Sequence, residues 1–181
     1  MKENNQHINR LLERCKKSDS AAQMQIYKDY YRAMYNASLR ILKDEFEAED
    51  IMQESFLTAF TKLDTFKGEV AFGAWLKRIV INKSLTQLKK NNKYQEVKME
   101  TVYESSIEDE AIDYSELKSS NVLRLLNTLK DNYRIVLTLN LIEGYDYEEI
   151  SQILGYTNEN VRTTISRAKR KLKQVLILET A

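Results

Sequence analysis

The basic residues of this 181-residue chain are sorted along the sequence in a way that could bind a polyanion. Residues 77–93 hold six lysines and arginines and no acid, and residues 162–173 hold another six with no acid. Residues 95–118, between them, hold eight acids against two lysines. Purely cationic segments favour contact with the phosphates of nucleic acid. A solvated charged face is the alternative for either segment alone, but the presence of two favours nucleic acid.

The second basic segment lies in a stretch with the pattern of a helix-turn-helix. A short helix over 147–154 is followed by a turn at 155–157 and a longer basic helix. In that helix the apolar residues recur at steps of four, three and four, which predicts a buried face made of Val161, Ile165, Ala168 and Leu172. The opposite face is polar at its front and cationic behind, a division that suits base edges and phosphates respectively. Its members are Glu159, Asn160, Arg162, Thr163, Ser166, Arg167, Arg170 and Lys173.

The rest of the sequence predicts an all-α protein. Proline is absent and there are only four glycines, whereas folds rich in turns use both. The first helix, near 6–17, places Ile8, Leu11, Leu12 and Cys15 at helical spacing. Ser18 or Ser20 is expected to cap the second helix, which extends to about residue 43. Core packing is expected for the residues that keep its phase, among them Met24, Tyr27, Tyr31, Met34 and Tyr35.

Two further helices complete the first half of the chain. One runs from about 47 to 63, has acids in its first turn, and turns Ile51, Met52, Phe56, Ala59, Phe60 and Leu63 inward. A loop over about 64–73 leads to the other, about 74–90. The apolar pattern predicts that this fourth helix buries Trp75, Leu76, Ile79, Val80 and Leu88.

A polar, acidic stretch without sustained periodicity divides the chain into two small helical domains. We expect a first domain over 1–92, a flexible acidic linker over 93–116 with a short helix near 107–117, and a second domain over 117–181. The second domain begins with helices at Val122–Leu129 and Ile135–Ile142, the latter closed by Gly144. Asp146 and Glu149 predict a capping box, Gly155 a helix end, and Thr157 the next cap.

Composition argues against an enzyme, a metal site and a membrane protein. His7 and Cys15 are the only histidine and cysteine, which excludes an internal disulfide and leaves little for nucleophilic or metal chemistry. No apolar run is long enough to span a bilayer, and the N-terminus lacks a signal-peptide pattern. We therefore expect a cytoplasmic protein without catalytic residues, cofactor, metal, small-molecule substrate or membrane insertion.

Three motifs in combination resemble the extracytoplasmic-function group of bacterial RNA polymerase sigma factors. They are EAEDIMQESFLTAFTKL, FKGEVAFGAWLKRIVINKSLTQLKK, and the helix-turn-helix ending in SRAK. The resemblance covers about residues 19–173. It implies a region 2 helical domain, a region 4 helix-turn-helix domain, binding to core polymerase and promoter DNA, control by an anti-sigma factor, and no enzymatic activity.

The resemblance also assigns roles to particular residues. Docking on a coiled coil of the polymerase's largest subunit falls to Asp50, Gln53, Glu54 and Leu57, which helical spacing places on one face. Melting and reading the minus-ten element falls to Lys77, Arg78, Asn82 and Lys83, with the loop before them receiving a flipped base. Contact with the minus-thirty-five element falls to Asn158, Asn160, Arg162, Thr163, Ser166, Arg167 and Arg170.

The chain departs from the family pattern at several positions, and its recognition turn reads Thr157, Asn158, Glu159, Asn160, Val161 where Ser-x-Gly-Thr-Val is frequent. Lys130 stands where proline is frequent, Thr86 where aspartate is usual, and Thr164 where arginine is frequent, while Glu159 adds a negative charge to the recognition turn. Two other classes of function remain open on the residues alone. One is a helix-turn-helix regulator that acts without polymerase, and the other is a helical adaptor that binds only protein.

Overall fold

The helices arise where the sequence carries apolar residues at helical spacing, and they form two compact units within 1–97 and 98–181. A computed structural model describes the backbone of residues 2–91 and 119–180 and the side chains of 6–91 and 122–177. Those residues form helices, turns and loops but no strand, as predicted. The expected linker and the short helix near 107–117 lie outside the described residues.

Within residues 2–91, four helices of the first unit pack around one core. They are α1 (Lys2–Lys16), α2 (Ser20–Leu42), α3 (Glu45–Thr61) and α4 (Phe72–Asn91), with a 3₁₀ turn at Leu63–Thr65. The buried side chains include Ile26, Phe56 and Leu76 from three different helices. The buried hydroxyls of Ser38 and Ser84 hydrogen-bond at 2.9 Å and join α2 to α4. The helix carrying the first basic segment is therefore held from behind by α2 and α3.

The first helix contributes the face that its spacing predicts. Leu11, Leu12 and Cys15 are buried against the core, and Ile8 packs beside them. Burial raises the pKa of the Cys15 thiol, so the side chain stays protonated and acts as a small apolar filler.

The cap of α2 differs from the one expected. Asp19, rather than Ser18 or Ser20, caps the helix, and its carboxylate accepts hydrogen bonds from the backbone N–H groups of Ala21 and Ala22. The Arg14 Nε donates to the same carboxylate at 2.8 Å, which lowers the pKa of Asp19. An ionised carboxylate interacts with the positive end of the helix dipole more strongly than a hydroxyl does, which explains the preference.

Two residues expected in the core of α2 are exposed. Met24 is 54% exposed and Tyr31 45%, whereas Ala22 and Ile26 are buried. Apolar side chains occupy more than one face of α2, so their spacing alone could not select the inward one. Tyr31 instead stacks on Tyr27 with ring centroids 5.8 Å apart.

Gly73 permits the close approach of α4 to α2. A Cβ atom at this position would lie 2.7 Å from Cε1 of Tyr30, whose ring packs edge-on against Phe72. Gly73→Ala is expected to lower the free energy of unfolding of this unit by about 1 kcal/mol, because overpacking outweighs the gain in helix propensity. Urea unfolding of the variant tests this. Tyr30→Leu removes the clashing atom, so an equal cost of Gly73→Ala in that background would contradict the explanation.

The described part of the second unit contains α5 (Ser119–Thr128), α6 (Asp131–Leu137), α7 (Tyr147–Leu154) and α8 (Asn158–Thr180). A π-helical turn over Thr138–Ile142 follows α6, with the Glu143 N–H donating to the Thr138 carbonyl. Gly144 then takes a positive φ of 78° and ends the turn, as predicted. The buried faces of these helices meet at Leu125, Leu139, Ile150, Ile165 and Leu172, among others.

The turn of the helix-turn-helix has the caps that the sequence predicts. The Asp146 carboxylate accepts from the Glu149 N–H, and the Glu149 carboxylate accepts from the Asp146 N–H. Gly155 ends α7 with φ 70°, and the Thr157 hydroxyl accepts from the Asn160 N–H at the start of α8. These caps fix the direction in which α8 leaves the turn.

Candidate functional site

The outer face of α3 carries a stripe that combines polar and apolar side chains. Asp50 and Gln53 are exposed, and Leu57 is 69% exposed. Phe46, which precedes Asp50 by one turn, is 83% exposed and was not among the predicted site residues. Positions 46, 50, 53 and 57 are spaced by four, three and four residues and therefore lie on one face. In the sequence, Phe46 stands out as an apolar residue at a position that the helical spacing assigns to the exposed face.

Hydrogen bonds hold the polar groups beside this stripe. The Gln53 Nε2 donates to Glu49 Oε1 at 3.2 Å, along the same helix. The Asn91 Nδ2 donates to both carboxylate oxygens of Glu47, at 2.8 and 2.9 Å, and so ties the end of α4 to the start of α3. Exposed acids and amides between two apolar side chains suit a partner helix that carries arginines and apolar residues.

The four predicted residues of α4 do not share one face. Arg78 and Asn82 are one turn apart and lie on the same side of the helix. Lys77 and Lys83 are six residues apart, which at 3.6 residues per turn separates them by about 120°. Lys77, Arg78 and Lys83 are half-buried and Asn82 is exposed. The structure therefore gives α4 a central strip at Arg78 and Asn82 with a lysine on each flank.

Lys83 forms an ion pair with Glu54 across the α3–α4 contact. The Lys83 Nζ lies 3.2 Å from Glu54 Oε2, and the two side chains are 32% and 61% exposed. From the sequence, Glu54 is expected on the polymerase-docking surface and Lys83 on the minus-ten surface. In the structure the Glu54 carboxylate borders both surfaces, because Glu54 lies on the side of the α3 stripe that faces α4.

This ion pair predicts a measurable competition. Glu54→Gln is expected to raise the affinity of the free chain for a mixed-sequence DNA duplex about two- to fivefold at low salt, because an exposed pair contributes at most about 1 kcal/mol. Fluorescence anisotropy measures the change. Glu49→Gln makes the same charge change elsewhere on α3 and should have a smaller effect. An equal effect of Glu54→Gln in a Lys83→Gln background would contradict the competition.

An aromatic cluster supports the loop that precedes α4. The Phe66 ring lies 5.3 Å from Trp75 and 5.6 Å from Phe72, and Phe72 lies 5.7 Å from Trp75, measured between centroids. Phe72 is buried and the other two are half-buried. Trp75 therefore packs with the core, as expected, and the rings hold the loop over the start of α4. Between Phe66 and Phe72, Val70 is 55% exposed.

The face of α8 opposite its buried residues is polar and reachable, as predicted. Val161, Ile165, Ala168 and Leu172 are all buried. Asn158, Asn160, Arg162, Thr163 and Arg170 are exposed, and Ser166 and Arg167 are half-buried.

Two contacts position Arg162 on this face. Its Nε donates to Asn158 Oδ1 at 3.1 Å, and its guanidinium lies 5.5 Å from the centroid of the Tyr147 ring on α7. The guanidinium is thereby held at the junction of the two helices. Thr164, by contrast, is 6% exposed and faces the core, so this departure from the family pattern lies away from the polar face.

Within the described side chains, no group of three His, Cys, Asp or Glu residues is placed to hold a metal ion. None of the helices in the described part of the chain combines the length and the hydropathy needed to cross a membrane.

Sequence comparisons place both units among known proteins. The family described as Sigma-70 region 2 matches residues 26–94, and Sigma-70, region 4 matches residues 119–172. The chain is 30% identical to the ECF RNA polymerase sigma factor SigW of Bacillus subtilis, over 93% of this chain and 96% of that protein. It is 28% identical to the RNA polymerase sigma-H factor of Pseudomonas aeruginosa, over 92% of each chain.

Solved structures show the same fold. The sigma factor RpoE of Bartonella quintana, in complex with the anti-sigma factor NepR, superposes with a TM-score of 0.58 at 24% identity, over 84% of this chain and 95% of that one. CnrH, in complex with the cytosolic domain of CnrY, gives a TM-score of 0.57 at 23% identity, over 93% and 96% of the two chains.

Proposed function

Because the chain belongs to the extracytoplasmic-function group of the sigma-70 family, and so directs promoter-specific initiation by RNA polymerase, we propose how its surfaces divide that work. Residues 1–92 form the domain that binds polymerase and the minus-ten element. Residues 117–181 form the domain that reads the minus-thirty-five element, and 93–116 connect them. The two family matches, 26–94 and 119–172, support this division.

The α3 stripe is the surface that docks on the coiled coil of the polymerase's largest subunit. Asp50 and Gln53 supply charge and hydrogen bonds, Leu57 supplies apolar contact, and Glu54 contributes from the flank. The observation that supports this assignment is the 69% exposure of Leu57 beside exposed polar groups on a helix whose other face is core. Large apolar side chains exposed together on one helical face, here Phe46 and Leu57, are typical of a protein interface.

The outer strip of α4 and the loop before it take the opened minus-ten strand. Arg78 and the flanking lysines, Lys77 and Lys83, bind phosphates, and Asn82 lies near the unstacked bases. Extruding a base costs a few kcal/mol, which a cationic groove and a fixed pocket offset. The packing of Phe66 on Phe72 and Trp75 supports this role, because it holds the loop in place without contributing an exposed ring.

The polar face of α8 reads the minus-thirty-five element. The front residues, Asn158, Asn160, Arg162 and Thr163, meet base edges, and Ser166, Arg167 and Arg170 meet phosphates. The anchoring of Arg162 by Asn158 and Tyr147 supports base contact, because a preorganised guanidinium loses less side-chain entropy on binding.

An anti-sigma factor holds this protein inactive, as the complexes of RpoE with NepR and of CnrH with CnrY suggest for chains of this fold. The protein has no catalytic activity of its own, since its relatives are sigma factors. It acts in the cytoplasm, where core polymerase is.

Run-off transcription with purified core polymerase on genomic fragments of the source bacterium tests the proposed function. The chain should produce transcripts with defined 5′ ends, and gel shifts should show strong promoter binding only with polymerase. Equal binding without polymerase would indicate a helix-turn-helix regulator instead. Binding to neither DNA form, with no defined transcript, would indicate a protein-only adaptor.

A further inference from the structure

The second unit contains a cationic cavity between α6 and α8 that the recognition of base edges does not explain. Its volume is about 220 Å³, and it is lined by Tyr133 from α6 and by Arg167, Arg170, Lys171 and Gln174 from α8. The α8 residues are spaced by three, one and three positions, so they form one stripe along two turns. Tyr133 and Lys171 belong to none of the surfaces described above.

The lining has the chemistry of an anion site. It comprises three cations, a phenol and an amide, and none of the lining residues is an acid. A guanidinium group can donate two parallel hydrogen bonds to a phosphate, and lysine adds a point charge. The phenol and the amide can donate further hydrogen bonds. Since a water molecule takes about 30 Å³, the cavity has room for a phosphate group and several waters.

The position of the stripe favours a nucleic-acid phosphate over an acidic peptide. Arg170 follows Thr163 by seven residues and so lies almost directly in line with the base-reading face. Arg167 and Lys171 lie further around the helix, towards α6. When the front of α8 enters a major groove, this flank faces the groove wall, where the backbone runs. The tyrosine ring is the one large apolar surface in the lining, so a peptide would find little to bury there.

We propose that this cavity seats one backbone phosphate beside the minus-thirty-five element, with Tyr133 and Lys171 as ligands together with Arg167 and Arg170. The inference rests on the proposed reading of DNA by α8 and extends it to α6. The phosphate fixes the depth and rotation of α8 in the groove, because it is bound from two helices at once. Tyr133 and Lys171 are then positioning residues that specify no base.

The test uses the holoenzyme and a promoter duplex found by run-off transcription, prepared as a series with one neutral methylphosphonate in each molecule. Lys171→Gln is expected to weaken binding to the unmodified duplex about tenfold, and Tyr133→Phe about fivefold. Lys171→Gln should also reduce the salt slope by about 0.9, as loss of one phosphate contact does. At one position in the duplex, the methylphosphonate should weaken binding by the wild-type holoenzyme. The same methylphosphonate should have little further effect on binding by Lys171→Gln, because that variant has already lost the phosphate contact.

The control is Lys169→Gln, which removes the same charge from α8 at a position outside the cavity lining. It should leave the response to that methylphosphonate unchanged, and the melting temperatures of all three variants should match the wild type. Full sensitivity of Lys171→Gln to every methylphosphonate would overturn the proposal. So would unchanged DNA binding with weakened binding of a polyglutamate probe, which would assign the cavity to an acidic protein.

Failure of the proposed function gives a different result. In that case the wild-type holoenzyme would show no sensitivity to any methylphosphonate or base change near the minus-thirty-five element. Sensitivity to base changes there, without the Lys171-dependent methylphosphonate effect, would retain the proposed function and reject the cavity.

Discussion

Replacing Asp50 and Gln53 together with alanine is expected to weaken binding to core polymerase by about thirtyfold or more. The two side chains are exposed at the centre of the α3 stripe, flanked by Phe46 and Leu57. Central polar residues ringed by apolar contact lose water on binding, and truncating such residues costs about 2 kcal/mol or more. At about 1.4 kcal/mol per factor of ten, this corresponds to the stated loss. Fluorescence anisotropy of the labelled full chain with core polymerase measures the dissociation constant.

The chain offers a control of the same chemistry on α2. Gln25 donates to Asp29 at 2.8 Å on an exposed part of that helix. Gln25→Ala with Asp29→Ala removes one amide and one carboxylate, as the test variant does, and should leave polymerase affinity within about twofold of the wild type. If the α3 variant binds as tightly as this control, the stripe is not the docking surface.

Phe46 extends the same expectation by one helical turn. Burying a phenylalanine that is exposed in the free chain contributes about 1.5–3 kcal/mol, so Phe46→Ala should weaken polymerase binding while leaving the stability of the free chain unchanged. Unchanged stability of the free chain distinguishes an interface residue from a core residue. Ile51→Ala, on the opposite face of α3, should do the reverse, because Ile51 is 8% exposed.

Local sequence signals predicted the helices, the helix-turn-helix caps and the buried face of α8. These features depend on residues three or four positions apart, which the sequence displays directly. The capping box of Asp146 and Glu149 is an example, because the pattern and the contacts involve the same two residues. The predicted cap of α2 was wrong by one residue. Serine and aspartate have similar capping propensities, and the contact of Asp19 with Arg14 of α1 depends on how the two helices pack.

Features that depend on packing between helices could not be predicted. The pair of Lys83 with Glu54 joins residues 29 positions apart, and it exists because α3 and α4 lie side by side. Arg134 is 1% exposed and pairs with Asp131, although an arginine at that position would ordinarily be assigned to solvent. Tyr133 lines a cationic cavity because α6 packs against α8, and the sequence does not display that packing. Charge sorting thus predicted which helices carry basic faces, while the packing of the helices determines which side chains converge.

The two compact units should respond independently to a defect in one core, with a large effect on promoter recognition. Ile150 of α7 is fully buried in the second unit. Ile150→Ala is expected to lower the free energy of unfolding of that unit by about 2–5 kcal/mol, through lost burial and a residual cavity. Because a small domain has only about 5–15 kcal/mol in total, this is a substantial fraction of its stability.

Amide hydrogen exchange on the full chain locates the effect. The amides of α7 and α8 should lose protection, while those of α2, α3 and α4 stay as in the wild type. Transcription from a promoter that depends on its minus-thirty-five element should fall, whereas affinity for core polymerase through the α3 stripe should persist. Ile177→Ala makes the same substitution at a side chain that is 54% exposed, and it should change stability by less than about 0.5 kcal/mol. Loss of protection that spreads to α2, α3 and α4 would show that the two units fold as one, and the separate assignment of polymerase docking and minus-thirty-five reading would then fail.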